Sequence, residues 1–394
     1  MNQLFFERQK KASMRLAEDG IFAAVIKDAE GSRNSSLRYL TGHPQDALLF
    51  IFADSDTILL PWDVNLANEK ASCSSIIPYT DYNRNYFQAA EAVLSKKITR
   101  NSRISRDSSG AAENDKLKIE VSASSSWLDV NTLRKKLPDM EIICRDNGID
   151  AFLSSSRKIK DNSELQLYTK AAEITDNVIN ELEEYLQKNI FRDEKRVTEA
   201  DIAMKIERLA RDCNAEGTGF ETIAASGGRS WAIHPWPAYS SSQVTGSGLT
   251  IIDFGIRYKG YTTDVTLTAA GKNLSDKQKE MIQLVQNAAE LAEKELKPGI
   301  SAGQPAQAVN IFFKSHGYAM PHSLGHGIGL DVHEAPLLKN DSENTAILEP
   351  GMVLAVEPGL YDPDAGGVRL ENDFIITSSG CTRITSSRII FPEY

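Results

Sequence analysis

The segment His322-Ser-Leu-Gly-His326-Gly-Ile-Gly-Leu-Asp-Val-His333-Glu334 places three of the chain's six histidines within twelve residues and spaces them with glycines. Imidazole is the commonest side-chain metal ligand and a proton carrier near neutral pH. Glycine lets backbone and side chains close in on a small ion or substrate. A hydrophobic core needs neither property, so the segment reads as part of an active site. His43, in Gly-His-Pro, reads instead as a turn residue.

Carboxylates accompany the histidines. The run Ile251-Ile-Asp253-Phe-Gly-Ile-Arg-Tyr258-Lys-Gly-Tyr261-Thr-Thr-Asp264-Val-Thr266 reads as two strands joined at Lys259-Gly260. A two-residue loop there sets Tyr258 opposite Tyr261 and Asp253 opposite Thr266. Side chains alternate faces, so Asp253 and Asp264 share one face. Two acids on one face repel unless a cation or proton lies between them. The apolar neighbours Ile251, Ile252, Phe254 and Val265 argue for burial rather than solvation.

Further on, the apolar strand Met352-Val-Leu-Ala-Val ends in Glu357, and Pro-Gly turns the chain. Asp364-Ala-Gly-Gly-Val-Arg369-Leu-Glu371-Asn372-Asp-Phe-Ile-Ile then starts another strand. Both glutamates are flanked by residues that favour burial, and a buried carboxylate needs a partner. Arg369 is available to Glu371, which leaves Glu357 unaccounted for. Four carboxylates and an imidazole suffice for two divalent ions about 3.5–4 Å apart. Oxygen-rich ligation with one imidazole favours Mn²⁺ and admits Zn²⁺, Co²⁺ or Fe²⁺.

The elements that must position these residues follow from periodicity. A long helix is expected from about Ser163 to Asn189, with Ser163 and Gln166 as its capping box and Leu165, Ala172, Val178, Ile179, Leu182 and Leu186 at helical spacing. Helices are also expected over Glu199–Cys213, Ser275–Leu296 (capping box Ser275 and Gln278) and Ala302–His316. The strands between them come as hairpins, so the fold class is α+β rather than a doubly wound sheet. Residues 1–155 read as a separate unit of short strands and helices: a strand over Phe22–Ile26, a hairpin of Ala47–Phe52 with Thr57–Pro61, a helix from Tyr86 to Ile98, and a loop from Asn101 to Asp115. The expected boundary lies near residue 155, with 156–394 as the second domain.

A chain of 394 residues has ample apolar material for two cores. Its net charge of −10 argues against nucleic acid or an anionic membrane as partner. Cys73, Cys144, Cys213 and Cys381 lie far apart and read as reduced thiols. An early charged N-terminus and the lack of any apolar run of about 18 residues lead to the expectation of a soluble cytoplasmic protein.

The ordered set Asp253, Asp264, His326, Glu357 and Glu371 resembles the dinuclear site of the pita-bread metallopeptidases, the M24 family of methionine aminopeptidase, Xaa-Pro aminopeptidase, prolidase and creatinase. The histidine run, Val-Glu-Pro-Gly-Leu-Tyr and Gly-Gly-Val-Arg-Leu-Glu resemble its proline-specific members over residues 160–394. The first 155 residues resemble, more weakly, the creatinase-type N-terminal domain.

The resemblance implies roles. Asp253 would chelate one metal, Asp264 and Glu371 would bridge both, and His326 would complete the other shell. Glu357 would be a ligand that also accepts a proton from the attacking water. His322, His333 and His234 would be catalytic residues near the substrate, and Arg369 would support the ligands from behind. Asn372 stands where many members carry Asp, outside the ligand set, and is expected to matter little. The implied protein is a homodimeric exopeptidase that cuts Xaa-Pro bonds, as an aminopeptidase or a dipeptidase, with a proline-containing peptide as substrate. Methionine aminopeptidase usually lacks the large N-terminal domain, and creatinase does not keep the full ligand set. The alternative is a non-catalytic binding module on the same fold, but such proteins typically lose ligands.

Overall fold

The computed structural model describes residues 2–104, 116–193, 195–341 and 344–393. The chain forms two compact units, Met1–Ser156 and Arg157–Tyr394.

The first unit is built on a six-stranded mixed sheet. Its spatial order is Ser75–Ile76, Thr57–Pro61, Ala47–Phe52, Ala23–Asp28, Leu117–Val121, Met140–Ile143. Ala47–Phe52 is buried along its whole length, which is what a continuous apolar run in a central strand requires. It forms the expected hairpin with Thr57–Pro61, pairing Phe50 with Ile58. The helix Tyr86–Ile104 runs on through residues 101–104, which read as loop; the remainder of that expected loop, 105–115, lies outside the described residues. His43 follows the left-handed helix cap Gly42 and is fully buried.

The second unit has two helix-on-sheet layers, each with its own core. In one, the helices Asn162–Leu186 and Glu199–Asp212 cover the sheet Ile389–Ile390, Val265–Ala270, Leu249–Phe254, Ile223–Ser226. Ile179, Leu182 and Ile206 pack there with Ile252, Phe254 and Leu267. In the other, Asp276–Glu295 and Gln304–Ser315 cover the sheet Glu334–Leu338, Gly325–Gly327, Val353–Val356, Asn372–Ile376, Cys381–Arg383. Met281, Val285 and Phe313 pack there with Leu354 and Phe374. A backbone bridge, Thr266 to Glu371, links a strand of the first sheet to the approach to a strand of the second.

Local signals account for most boundaries. Ser275 and Gln278 form the expected capping box. The long helix is capped differently: Asp161 Oδ1 accepts from Ser163 and Glu164 N, and Glu164 Oε2 accepts from Asp161 N. Ser163 is therefore inside the helix. Glu164 wins the N3 position because its second oxygen is buried against the Tyr261 hydroxyl, at 2.7 Å, where Gln166 stays exposed. The last turn widens into a π-helical segment, Gln187–Arg192. The four cysteines are free, and among the described residues no helix is long and apolar enough to cross a membrane.

Candidate metal centre

The hairpin register is the first determinant of the site. Tyr258 pairs with Tyr261, and Asp253 with Thr266, around the left-handed Lys259 and Gly260. The hairpin is nonetheless broken between Phe254 and Ile256 on one side and between Thr262 and Val265 on the other. At the break, Gly255 lies so close to the opposite strand that a Cβ there would sit 2.0 Å from Thr263 O. Asp264 occupies the break, and its backbone N donates to Asp373 Oδ2 at 3.1 Å. The long strand expected after Asp364 is also broken: Gly366–Arg369 and Asn372–Ile376 belong to different sheets, and Glu371 lies between them. Both breaks occur where a carboxylate turns inward.

Asp264, His326 and Glu371 each offer a ligand atom within 4.8 Å of the others, and all three are buried. Glu371 Oε2 accepts from Thr266 Oγ1 at 2.7 Å. His326 Nδ1 donates to Gly327 O at 3.0 Å, which leaves the Nε2 lone pair facing Asp264 Oδ2 at 3.7 Å. That distance exceeds a hydrogen bond, and two lone pairs opposed in a buried space repel unless a cation or proton lies between them. Asp253 has one oxygen at 2.5 Å from Arg369 Nη2 and the other buried without a hydrogen bond. Arg369 therefore pairs with Asp253, not with Glu371 as the local sequence suggested. The two are 116 residues apart in sequence, too far for local spacing to reveal.

Electrostatics point to a cation as well. Burial pushes Asp264 and Glu371 well above the usual carboxylate range, and their acidic neighbours, Asp253 and Glu357 among them, push further. Burial likewise raises Asp253, with Arg369 opposing. It raises Glu357 to about 7, with Arg369 again opposing and Asp253 reinforcing. His322 and His326 are lowered to about 4, first by burial, so both are neutral at pH 7 and His326 is in the state that ligates. The cluster thus holds an excess of buried acid that protons or divalent ions would relieve, and its oxygen-rich, thiolate-free donors suit a hard or borderline ion.

His322, His333 and His234 lie around this cluster. His322 Nδ1 donates to Ser323 O at 2.8 Å and lies 3.8 Å from a Glu357 oxygen. Its Nε2 therefore accepts from the Tyr361 hydroxyl at 3.0 Å, and Tyr361 Oη accepts from Arg369 Nη1 at 2.9 Å. The His333 ring lies against that of His326, centroids 4.3 Å apart. His234 is tied in through its neighbour, since Arg369 Nη1 donates to Ile233 O at 3.2 Å. Burial first, and Arg369 second, lower the His234 pKa. Tyr361, Thr266 and Asp373 were not singled out in the sequence for these contacts. Tyr361 had one usable signal, its place in the Val-Glu-Pro-Gly-Leu-Tyr run. Asn372 Oδ1 accepts from Thr385 Oγ1 and Ser387 N, which ties down the segment between the strands Cys381–Arg383 and Ile389–Ile390.

Residues 166–378 match metallopeptidase family M24, and residues 8–142 match the creatinase/prolidase N-terminal domain. The chain belongs to the M24 metallopeptidases. As an M24 protein it is a hydrolase with a creatinase-type domain followed by the pita-bread fold, and the family implies divalent metal ions. Among its relatives, an Xaa-Pro dipeptidase of Pyrococcus horikoshii is 30% identical over 388 residues, 97% of each chain. An uncharacterized peptidase of Bacillus subtilis is 39% identical over 235 residues, 59% of this chain and 63% of that one. Among solved structures, the prolidase from Pyrococcus horikoshii is similar with a TM-score of 0.80 at 27% identity, covering 97% of this M24 chain and 99% of that one. The X-Pro aminopeptidase from Thermotoga maritima is similar at 0.80 and 28%, covering 98% and 99%.

Proposed function

We propose that this M24 enzyme is an Xaa-Pro exopeptidase, with residues 156–394 as its catalytic domain and 1–155 as its creatinase-like N-terminal domain. The observation that carries the reading is the convergence of Asp264, His326 and Glu371 within 4.8 Å, with Asp253 and Glu357 adding charge to the same space. In this reading Asp253, Asp264, His326, Glu357 and Glu371 hold two divalent ions, with Mn²⁺ the best match to the donors. Such ions would act as Lewis acids that polarise the scissile carbonyl and ease deprotonation of water.

The chain's own residues do the rest. Glu357 takes a proton from the attacking water and passes it towards the leaving nitrogen. His322 is held in one tautomer by Ser323 O and by the Tyr361 hydroxyl, with Nε2 as its acceptor. His333 and His234 flank the scissile bond and stabilise the charge that builds on its oxygen, while His322, with both ring nitrogens engaged, lines the substrate side beside Glu357. Arg369 fixes Asp253, Tyr361 and the backbone beside His234 at once. A proline nitrogen carries no N–H, and a pocket that offers the ring apolar contact in place of an acceptor would select it.

The reading is tested with Mn²⁺-loaded protein on Ala-Pro and Ala-Pro-Ala. Cleavage of the dipeptide alone marks a dipeptidase, and preference for the tripeptide marks an aminopeptidase. Cleavage of neither, with no Mn²⁺ bound, would overturn the reading in favour of a binding module. We also propose a cytoplasmic homodimer. Sedimentation that shows only a 43.5 kDa species would remove the dimer, and fractionation of the source cells outside the cytoplasm would remove the location.

A further inference from the structure

His234 lies on an irregular run that leaves the strand Ile223–Ser226, passes the short turn Gly227–Arg229 and returns near Ser240. Both ends of that run meet at one carboxylate. Glu199, the first residue of the helix Glu199–Asp212, is fully buried. Its Oε1 accepts from Ser226 N at 2.9 Å and from Ser226 Oγ at 3.1 Å, on the outgoing side. Its Oε2 accepts from Ser240 Oγ at 2.6 Å, on the returning side. Arg229 spans the two sides, with one nitrogen on Glu199 and another on Pro237 O.

The helix start adds to the clamp. The backbone N–H groups of Glu199 and Ala200 belong to the first turn and have no partner within the helix. They donate to Ser242 O and Ser240 O, each at 3.0 Å. The loop is thus closed at its base by a buried anion seated at a helix N-terminus, a place the helix dipole favours for negative charge. Its tip is docked separately: Ile233 O accepts from Arg369, and Ser230 Oγ accepts from Gly367 N at 3.2 Å. Two fixed points, base and tip, determine where the imidazole between them points.

We propose that Glu199 is a positioning residue of the peptidase, setting His234 against the substrate by closing its loop at both ends. The inference rests on the reading of His234 as a substrate-facing residue. Glu199 has no hydrogen bond to a candidate metal ligand, so its effect passes through the loop, which meets the ligand set only indirectly, through Arg369.

The test is a double-mutant cycle on the Mn²⁺-loaded full chain, using whichever of Ala-Pro and Ala-Pro-Ala it cleaves. Glu199→Gln keeps an acceptor for Ser226 and loses the charge that holds Arg229. A misplacement on the order of 1 Å costs about 100-fold in rate, so kcat/KM is expected to fall about 10- to 100-fold. In the double variant with His234→Ala, the Glu199→Gln loss should largely vanish, because residues that act through one another are not additive. Mn²⁺ affinity by calorimetry should stay within about twofold of the parent value, since the ligand shell is untouched. Losses that multiply in the double variant, or a matching loss of Mn²⁺ affinity, would overturn the proposal. A His234→Ala chain with unchanged kcat/KM would remove the reading of His234 itself, and with it the inference; the two failures are thus distinguishable. If Glu199→Gln does not fold, Ser240→Ala, which deletes one bond of the clamp, takes its place in the cycle with a smaller loss and the same criterion.

Discussion

At the scale of single residues, the centre is defined by what its acids lack. Asp264, Glu371 and Asp253 are buried together, and among the described residues Arg369, on Asp253, is the cation hydrogen-bonded to their carboxylates. Ligand and proton carrier are separable roles, and Glu357 is assigned both. Its carboxylate follows directly on the strand Val353–Val356 and is within reach of His322. Glu357→Gln keeps an oxygen for a metal and removes the base. The expected outcome is a kcat lower by about 10²–10⁴-fold with KM changed little, measured by steady-state kinetics at saturating Mn²⁺. An unchanged kcat would exclude Glu357 as the base. Tyr361 tests the relay from Arg369. Tyr361→Phe removes one hydrogen bond to His322, worth about 1 kcal/mol, and is expected to lower kcat/KM about 5- to 10-fold. A Tyr361→Phe enzyme with parental kcat/KM would show that His322 needs no such partner.

At the scale of elements, the broken hairpin matters more than its strands. A regular hairpin would run Asp264 through a continuous ladder. Here the ladder opens, and the Asp264 amide goes to the buried Asp373 carboxylate instead. Gly255 permits the break, because any side chain there meets Thr263 O. Gly255→Ala is expected to cost about 1–3 kcal/mol of stability by overpacking and to weaken Mn²⁺ binding with it. Thermal unfolding with and without Mn²⁺ measures both. Parental values in both would show that the close approach is relaxed at little cost and does not hold Asp264. The helices played a simpler part. Asp276–Glu295 was legible because its cap, its apolar face and its Pro-Gly stop agree. The cap of Asn162–Leu186 lies two residues before the expected Ser163, at Asp161, because burial of Glu164 favours the earlier box.

At the scale of the molecule, the second unit is two layers with the acids where they meet, so stability and metal loading are linked. A carboxyl whose folded-state pKa is raised keeps a proton that the unfolded chain has lost. The folded state then binds more protons, and stability falls as pH rises, by about 1.4 kcal/mol per pH unit for each such proton. Asp264, Glu371 and Asp373 contribute this slope, and Glu357 contributes it up to about pH 7. His322 and His326, lowered to about 4, act the other way and add stability up to about pH 6.5, with no slope above it. Metal-free protein is therefore expected to lose Tm as pH rises from about 6.5 to about 7, where the histidines no longer offset the Glu357 proton, and Mn²⁺ in excess to abolish that loss. A metal-free Tm that is flat or rising across this window would contradict the raised carboxyls. By itself the sequence determined whatever depends on neighbours in the chain: the register around Lys259-Gly260, the amphipathic helices, and which acids sit in apolar surroundings. Only the tertiary structure decided that Arg369 pairs with Asp253, that Asp373 holds Asp264 and that Glu199 closes the His234 loop. Each of these joins residues between 27 and 116 positions apart. Periodicity reports which face a side chain takes, but a buried charge chooses its partner from whatever the packed layers bring within hydrogen-bond reach.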